Sequence, residues 1–255
     1  MADLMLLDTY LKQLRLPAFL HHHRQVAEDA TRNQLGYDRF LLALAEQEVA
    51  QREKNLQARC IQAAHFPALK ELADFDFSCL TSPAKATVLD LARGHYLAKA
   101  EPILLVGNPG LGKTHVAISL ALAAARQGRR VRFFNAAGLV NEMLVLQDNH
   151  QLPRLLASLL KHQLVVIDEL GFIPFSPAGA QLMFQLCSTL YERVALIMTT
   201  NLRIADWTQV FGDERLTAAL LDRLTDRAHI LEFVGESYRF RQRARHTKKK
   251  EVRTS

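Results

Sequence analysis

The residues whose types and spacing can do chemistry begin at Gly107. Gly107, Gly112, Lys113 and Thr114 fit the spacing G-x-x-x-x-G-K-[ST] inside LLVGNPGLGKTH, where an apolar run ends in a glycine-rich loop that passes into a helical pattern. Glycines let the backbone curl so that successive N–H groups point inward at phosphate oxygens. The helix after the loop adds its unpaired N–H groups and the positive end of its dipole to the same anion. In such a loop Gly107, Asn108, Pro109, Gly110, Leu111, Gly112, Lys113, Thr114 and His115 surround the phosphates of a nucleotide. Lys113 is placed to reach the β- and γ-phosphates of ATP, and the Thr114 hydroxyl to ligate Mg²⁺.

A second group of chemical residues lies at LVVIDE, a buried apolar run ending in two adjacent acids. Asp168 at the tip can hold the water shell of Mg²⁺, and Glu169 can orient and deprotonate an attacking water. An acid at the second position favours hydrolysis over transfer to a bound acceptor. The next apolar run, ALIMTTN, ends in Thr199, Thr200 and Asn201, and the Asn201 amide can hydrogen-bond both that water and the γ-phosphate. Three arginines come after it. Arg223 is read as the residue supplied across a subunit boundary to stabilise charge on the transferring phosphoryl group, Arg215 as an interface or nucleotide residue, and Arg239 as a γ-phosphate sensor within one chain. The competing reading of each is a surface ion pair worth under about 1 kcal/mol.

These residues need strands to carry them. From residue 102 onward apolar strands alternate with helical patterns, the signature of a parallel sheet covered on both faces. The expected strands are Ile103–Val106, Val131–Asn135, Leu164–Asp168, Ala195–Thr200 and His229–Phe233. The expected helices are Lys113–Gln127, Gly138–Leu146, Pro153–Lys161, Ala178–Tyr191 and a pair across Ile204–Thr225. Residues 1 to about 70 read as all-helical, with Leu4, Leu7, Leu11 and Leu14 at helical spacing and breaks at Pro17 and Gly36. His21, His22 and His23 are adjacent, so on a helix they do not share one face and make a poor metal site. Between Pro67 and Pro102 lies a joint in which Ser82 and Pro83 open a helix. There Phe75 and Phe77 alternate with aspartates and look extended; they either line a base pocket or pack in the core.

Composition bounds the rest. Apolar residues make up 49% and charged ones 23% of the 255 residues, ordinary for a water-soluble globular protein. The longest apolar run falls far short of a membrane span, so no membrane partner is expected. The first residues carry Asp3 and Asp8 and no basic n-region, unlike a signal peptide. Cys60, Cys79 and Cys187 are widely spaced, which suits reduced thiols in the cytoplasm. The net charge is +6, yet the stretch from Arg239 onward holds eight basic residues against Glu251, leaving about −1 on everything before it. Such a tail is either a solvated terminus or, with Arg154 and Lys161, a contact for phosphate backbone.

The segments GNPGLGKTH, VVIDELGFIP, MTTN and LLDRLTDRAHILEFVGESYR, in that order and spacing, closely resemble the IstB family of ATP-binding helpers that accompany a transposase in bacterial insertion sequences. More distantly the chain is similar to the DnaC helicase loader and the DnaA initiator, all AAA+ ATPases. The resemblance implies an α/β fold: a P-loop AAA+ domain with a five-stranded parallel sheet, preceded by a small all-helical domain. It divides the chain into a helical partner-binding domain at 1–68, a linker and lead-in helix at 69–101, the ATPase domain at 102–238 and the basic tail at 239–255. It further implies ATP-bridged homo-oligomers that bind and deform double-stranded DNA and recruit a cognate transposase. The alternative is a DnaC-like loader acting on single-stranded DNA. By this resemblance Gly107–Thr114 is the phosphate loop, Asp168 and Glu169 are the metal and water-activating acids, Asn201 is the first sensor, Arg223 the finger and Arg239 the second sensor. The stretch after the last strand is too short for a full helical lid, which leaves the role of Arg239 open.

Overall fold

The computed structural model describes residues 2–80 and 82–235. Arg239 and the basic tail at 239–255 therefore lie outside the described residues. The chain forms two compact units, the first ending at Arg59 and the second starting at Cys60.

The first unit is helical: α1 (Ala2–Gln13), α2 (Pro17–Arg32) and most of α3 (Tyr37–Ala63). Pro17 opens α2, where its fixed φ suits the first turn and its missing N–H costs nothing. The residue before it, Leu16, has no side chain able to cap. Glu48 of α3 does so instead, its Oε2 accepting the Ala18 N–H at 2.8 Å. Arg52 joins the arrangement, donating to Glu48 Oε1 and to the Arg15 carbonyl, both at 2.8 Å. His23 is buried on α2, its Nδ1 donating to the Phe19 carbonyl at 3.0 Å, while His21 and His22 are exposed.

The second unit continues with α4 (Ser82–Leu91), α5 (His95–Ala98), β1 (Ile103–Gly107), α6 (Lys113–Arg126), β2 (Val131–Asn135), α7 (Ala136–Asp148), α8 (Leu152–Leu159) and β3 (Leu164–Leu170). It closes with α9 (Pro177–Leu190), β4 (Ala195–Thr200), α10 (Thr208–Phe211), α11 (Glu214–Thr225) and β5 (His229–Phe233). The five strands pair in the order β2-β3-β4-β1-β5, all parallel. Strand alternation sorts the core into two faces. Leu104 and Val106 of β1 pack with Val165, Ile167, Met198 and residues of α7 to α11, whereas Ile103 and Leu105 pack with Val166, Ile197 and α6. Both layers are needed to bury a sheet this apolar.

Two local features depart from the sequence pattern. Phe77 is not extended but starts a 3-10 turn, Phe77–Cys79, because the Asp76 carboxylate accepts the Ser78 N–H at 3.0 Å. The third strand does not stop at Asp168. It continues to Leu170 through a register shift between Ile167 and Leu170.

Candidate nucleotide-binding site

In a parallel sheet the carboxyl ends of all strands share one edge, and β1 lies between β4 and β5, so the loop after β1 opens beside the ends of its neighbours. Gly107 ends β1 with φ +150°, and a Cβ there would lie 2.4 Å from the Phe233 carbonyl oxygen. Gly112 caps α6 at φ +92°, where a Cβ would lie 2.6 Å from the Phe75 ring. Both positions admit only glycine. Lys113 is buried in the first turn of α6, and its Nζ donates to the Gly107 and Asn108 carbonyls at 2.6 and 2.9 Å. The cation thus bends back over the loop it belongs to.

The acids meet this loop from β3. Thr114 Oγ1 donates to Asp168 Oδ1 at 2.9 Å, and Thr199 Oγ1 on β4 donates to the same oxygen at 2.5 Å. Burial pushes the Asp168 carboxyl above its ordinary value, against the two hydroxyl donors and Lys113, which pull it down. A carboxylate desolvated in this way, with a hydroxyl beside it, is a hard-oxygen pair suited to a small divalent cation. Glu169 is different. It sits at φ +62°, a left-handed conformation costing about 1–2 kcal/mol in a residue with a Cβ. Two bonds hold it there: its N–H donates to Thr199 Oγ1 at 2.9 Å, and Asn135 Nδ2 donates to its Oε2 at 2.8 Å. The register shift turns the Glu169 carboxylate outward to the cavity while Asp168 stays buried.

A cavity of about 480 Å³ collects these groups, its lining including Lys113, Thr114, Glu169, Thr199 and Asn201. Phe75 forms another part of the wall while also packing against Phe77, His115 and Phe233, so it serves both cavity and core. Phe77 is packed against the core and carries Lys85 over its ring. The wall is anchored to α6: His115 Nε2 donates to the Glu71 carbonyl at 2.8 Å, Ser119 Oγ to the Lys70 carbonyl at 3.1 Å, and Arg126 pairs with the Glu71 carboxylate.

The structure brings Gly107–His115, Asp168, Glu169 and Asn201 together, and it does not bring Arg215 or Arg223 to them. Arg223 on α11 donates to the Ala219 carbonyl at 2.7 Å, lies over the Phe184 ring, and lines a small cleft with Lys99, Glu101 and Tyr191. Arg215 is exposed on α11, and Arg154 is exposed on α8. Two residues of the site carried no role in the sequence reading. Thr199 was visible only as a polar strand end. Asn135 could have been found as a helix cap, since its Oδ1 accepts the Ala137 and Gly138 N–H groups at 3.1 and 3.3 Å, leaving Nδ2 for Glu169.

A glycine loop on the central strand, a paired acid on the third and a polar tip on the fourth, in the order β2-β3-β4-β1-β5, define an AAA+ nucleotide-binding fold. Residues 9–246 match the family described as IstB-like ATP binding protein, and the chain belongs to that family. It is 33% identical to a protein of insertion sequence IS232 from Bacillus thuringiensis subsp. berliner, over 92% of this chain and 94% of that one. It is 32% identical to a protein of insertion sequence IS21 from Pseudomonas aeruginosa, over 93% and 89%. The fold is also similar to the crystal structure of the DnaC helicase loader, with a TM-score of 0.53 and 21% identity over 69% of this chain and 99% of that one.

Proposed function

We propose that the protein hydrolyses ATP to ADP and phosphate and, as an ATP-bridged homo-oligomer on double-stranded DNA, recruits a cognate transposase. The observation that carries the hydrolytic reading is the Thr199 hydroxyl. It ties the buried Asp168 carboxylate to the backbone of the outward-turned Glu169, separating a metal-binding acid from a water-activating one. The N–H groups of Gly110–Thr114 would hold the phosphates, and Lys113 would turn from the Gly107 and Asn108 carbonyls to the β- and γ-phosphates. Thr114 and Asp168 would hold Mg²⁺, which supplies charge neutralisation at the transferring group. Glu169 takes the proton of the attacking water, and Asn201 orients that water. Arg223, which is not part of its own cavity's lining, completes the site of the adjoining copy, and Arg239 senses the γ-phosphate. The helical residues 1–68 engage the transposase, the segment 69–101 links them to the ATPase domain at 102–238, and all of this takes place in the cytoplasm.

The test is complementation. Lys113→Ala and Arg223→Ala are each expected to lose hydrolysis, and their mixture to recover part of it by pairing an intact phosphate loop with an intact arginine. Glu169→Gln is expected to keep ATP binding and lose turnover by about 10²-fold or more. A wild-type rate per subunit that is flat with protein concentration, together with no recovery in the mixture, rejects the shared site.

A further inference from the structure

The amino ends of the strands share the opposite edge of the sheet, and its two halves differ in charge. Around β1, β4 and β5, cations and carboxylates are mixed: Lys99 pairs with Glu101, His229 with Glu101, and Arg227 with Asp226. In the segments that lead into β2 and β3 every charged side chain among the described residues is basic, with the His162 imidazole beside them. Arg129 and Arg130 precede β2, Arg132 lies on it, and Lys161 and His162 precede β3. The edge is knit by backbone: the Gln163 N–H donates to the Arg130 carbonyl at 2.9 Å, and the Arg130 N–H to Gln163 Oε1 at 2.7 Å. Arg129, Arg130 and Lys161 are exposed, and among the described residues none of them, nor Arg132, has a carboxylate within ion-pair distance. Arg126, a few residues upstream, is instead paired with Glu71. Burial and the charges of Arg130 and Arg132 together hold the His162 imidazole below its ordinary pKa, against carbonyl contacts that raise it.

We propose that this amino edge over β2 and β3 is a contact surface for the phosphate backbone of duplex DNA. The inference rests on the DNA-binding reading above and adds its location, at the end of the sheet away from ATP. Like charges held together without counter-charges destabilise the free protein mildly and reward an anionic partner. No large apolar side chain of the edge is exposed, unlike the surface of a membrane or protein contact. Phe133 and Phe134 are buried, so no aromatic platform for unpaired bases is presented. Adjacent strands stand about 4.8 Å apart, against a phosphate every ~3.4 Å along each DNA strand, so the two strand starts face about one or two phosphates of a strand. Lys161 belongs to this surface. Arg154 stands near the other end of α8, about 10 Å away along the helix axis.

The experiment uses the full chain with ATP and a labelled duplex, reading affinity by anisotropy between about 50 and 200 mM salt. A variant combining Arg129→Ala, Arg130→Ala and Lys161→Ala is expected to bind at least tenfold more weakly. Its salt slope should be shallower by about 0.9 for each lost phosphate contact. Affinity for a fluorescent ATP analogue should stay unchanged. Exchanging arginine and lysine at the same three positions should keep duplex binding, showing that charge and not folding is read. A triple variant with wild-type affinity and slope overturns the surface while leaving DNA binding intact. Wild-type protein with no affinity for duplex overturns both readings, and a loss confined to single-stranded DNA overturns the duplex assignment.

Discussion

Replacing Thr199 with valine removes one hydroxyl and nothing else of size. Thr199 is 1% exposed, and its Oγ1 donates to Asp168 Oδ1 and accepts the Glu169 N–H. A hydrogen bond to a charged group contributes about 1.5–3 kcal/mol, and an orphaned buried N–H costs about 1–3 kcal/mol. Because one atom serves both bonds the two do not simply add, and about 2–4 kcal/mol is expected for the pair. For a domain of this size that lowers the melting temperature by roughly 5–12 °C. The catalytic effect comes from backbone geometry. Glu169 holds a strained φ of +62° with help from that N–H bond, and its release lets the residue relax and carry its carboxylate off line. A misplacement of about 1 Å can cost on the order of 10²-fold in rate. Thermal melts and steady-state ATP hydrolysis at saturating Mg²⁺ and ATP are the measurements. Thr199→Val should lose both stability and turnover while nucleotide affinity changes little, and Thr199→Ser should restore both. A valine variant that melts and turns over like wild type would falsify the argument that this hydroxyl separates the two acids.

Two further expectations concern backbone and pH. Gly107→Ala places a Cβ against the Phe233 carbonyl and should abolish ATP binding or folding, whereas Gly138→Ala on α7, where a Cβ meets nothing within 4 Å, should stabilise by about 0.5–1 kcal/mol; melts of the two variants side by side check this. Burial raises the pKa of Glu48, but the Arg52 bond and the Ala18 and Phe19 N–H groups outweigh it and leave the group below its ordinary 4.5. A carboxyl depressed on folding stabilises above its unfolded pKa and loses that contribution as pH falls through the folded one. The first helical unit should therefore weaken as pH drops below 4.5, and Glu48→Gln should flatten that dependence in circular-dichroism melts of the full chain.

The strands were legible because both sheet faces are buried, so each strand reads as an apolar run bounded by turn residues. Val131–Asn135, Ala195–Thr200 and His229–Phe233 match in both bounds. The glycine loop after β1 was legible because its glycines answer to steric contacts with Phe233 and Phe75 that no other residue satisfies. The features that stayed hidden depend on partners distant in sequence. The shift that extends β3 past Asp168 leaves no periodic trace, since one strained residue restores the alternation at Leu170. Glu48 capping α2 joins positions thirty residues apart, and a polar residue in the middle of a long helix gives no sign of the end it serves. Asn135 looks like a cap, and only the fold shows that its other atom faces an acid on the neighbouring strand.

On the two proposals above, one sheet would meet anions at both edges by different physics. At the carboxyl edge the donors would be backbone amides and a buried lysine lining a cavity, where geometry is fixed by glycine. At the amino edge they are exposed guanidinium and ammonium groups on the surface, screened over roughly 8 Å at physiological ionic strength. The first arrangement would select a small, shaped triphosphate; the proposed second would take a long polyanion with little regard to sequence. Adding salt should therefore release DNA well before it releases ATP. If the two ligands left together along the same salt titration, DNA would be held through the nucleotide-dependent assembly alone and not by the basic edge of the sheet.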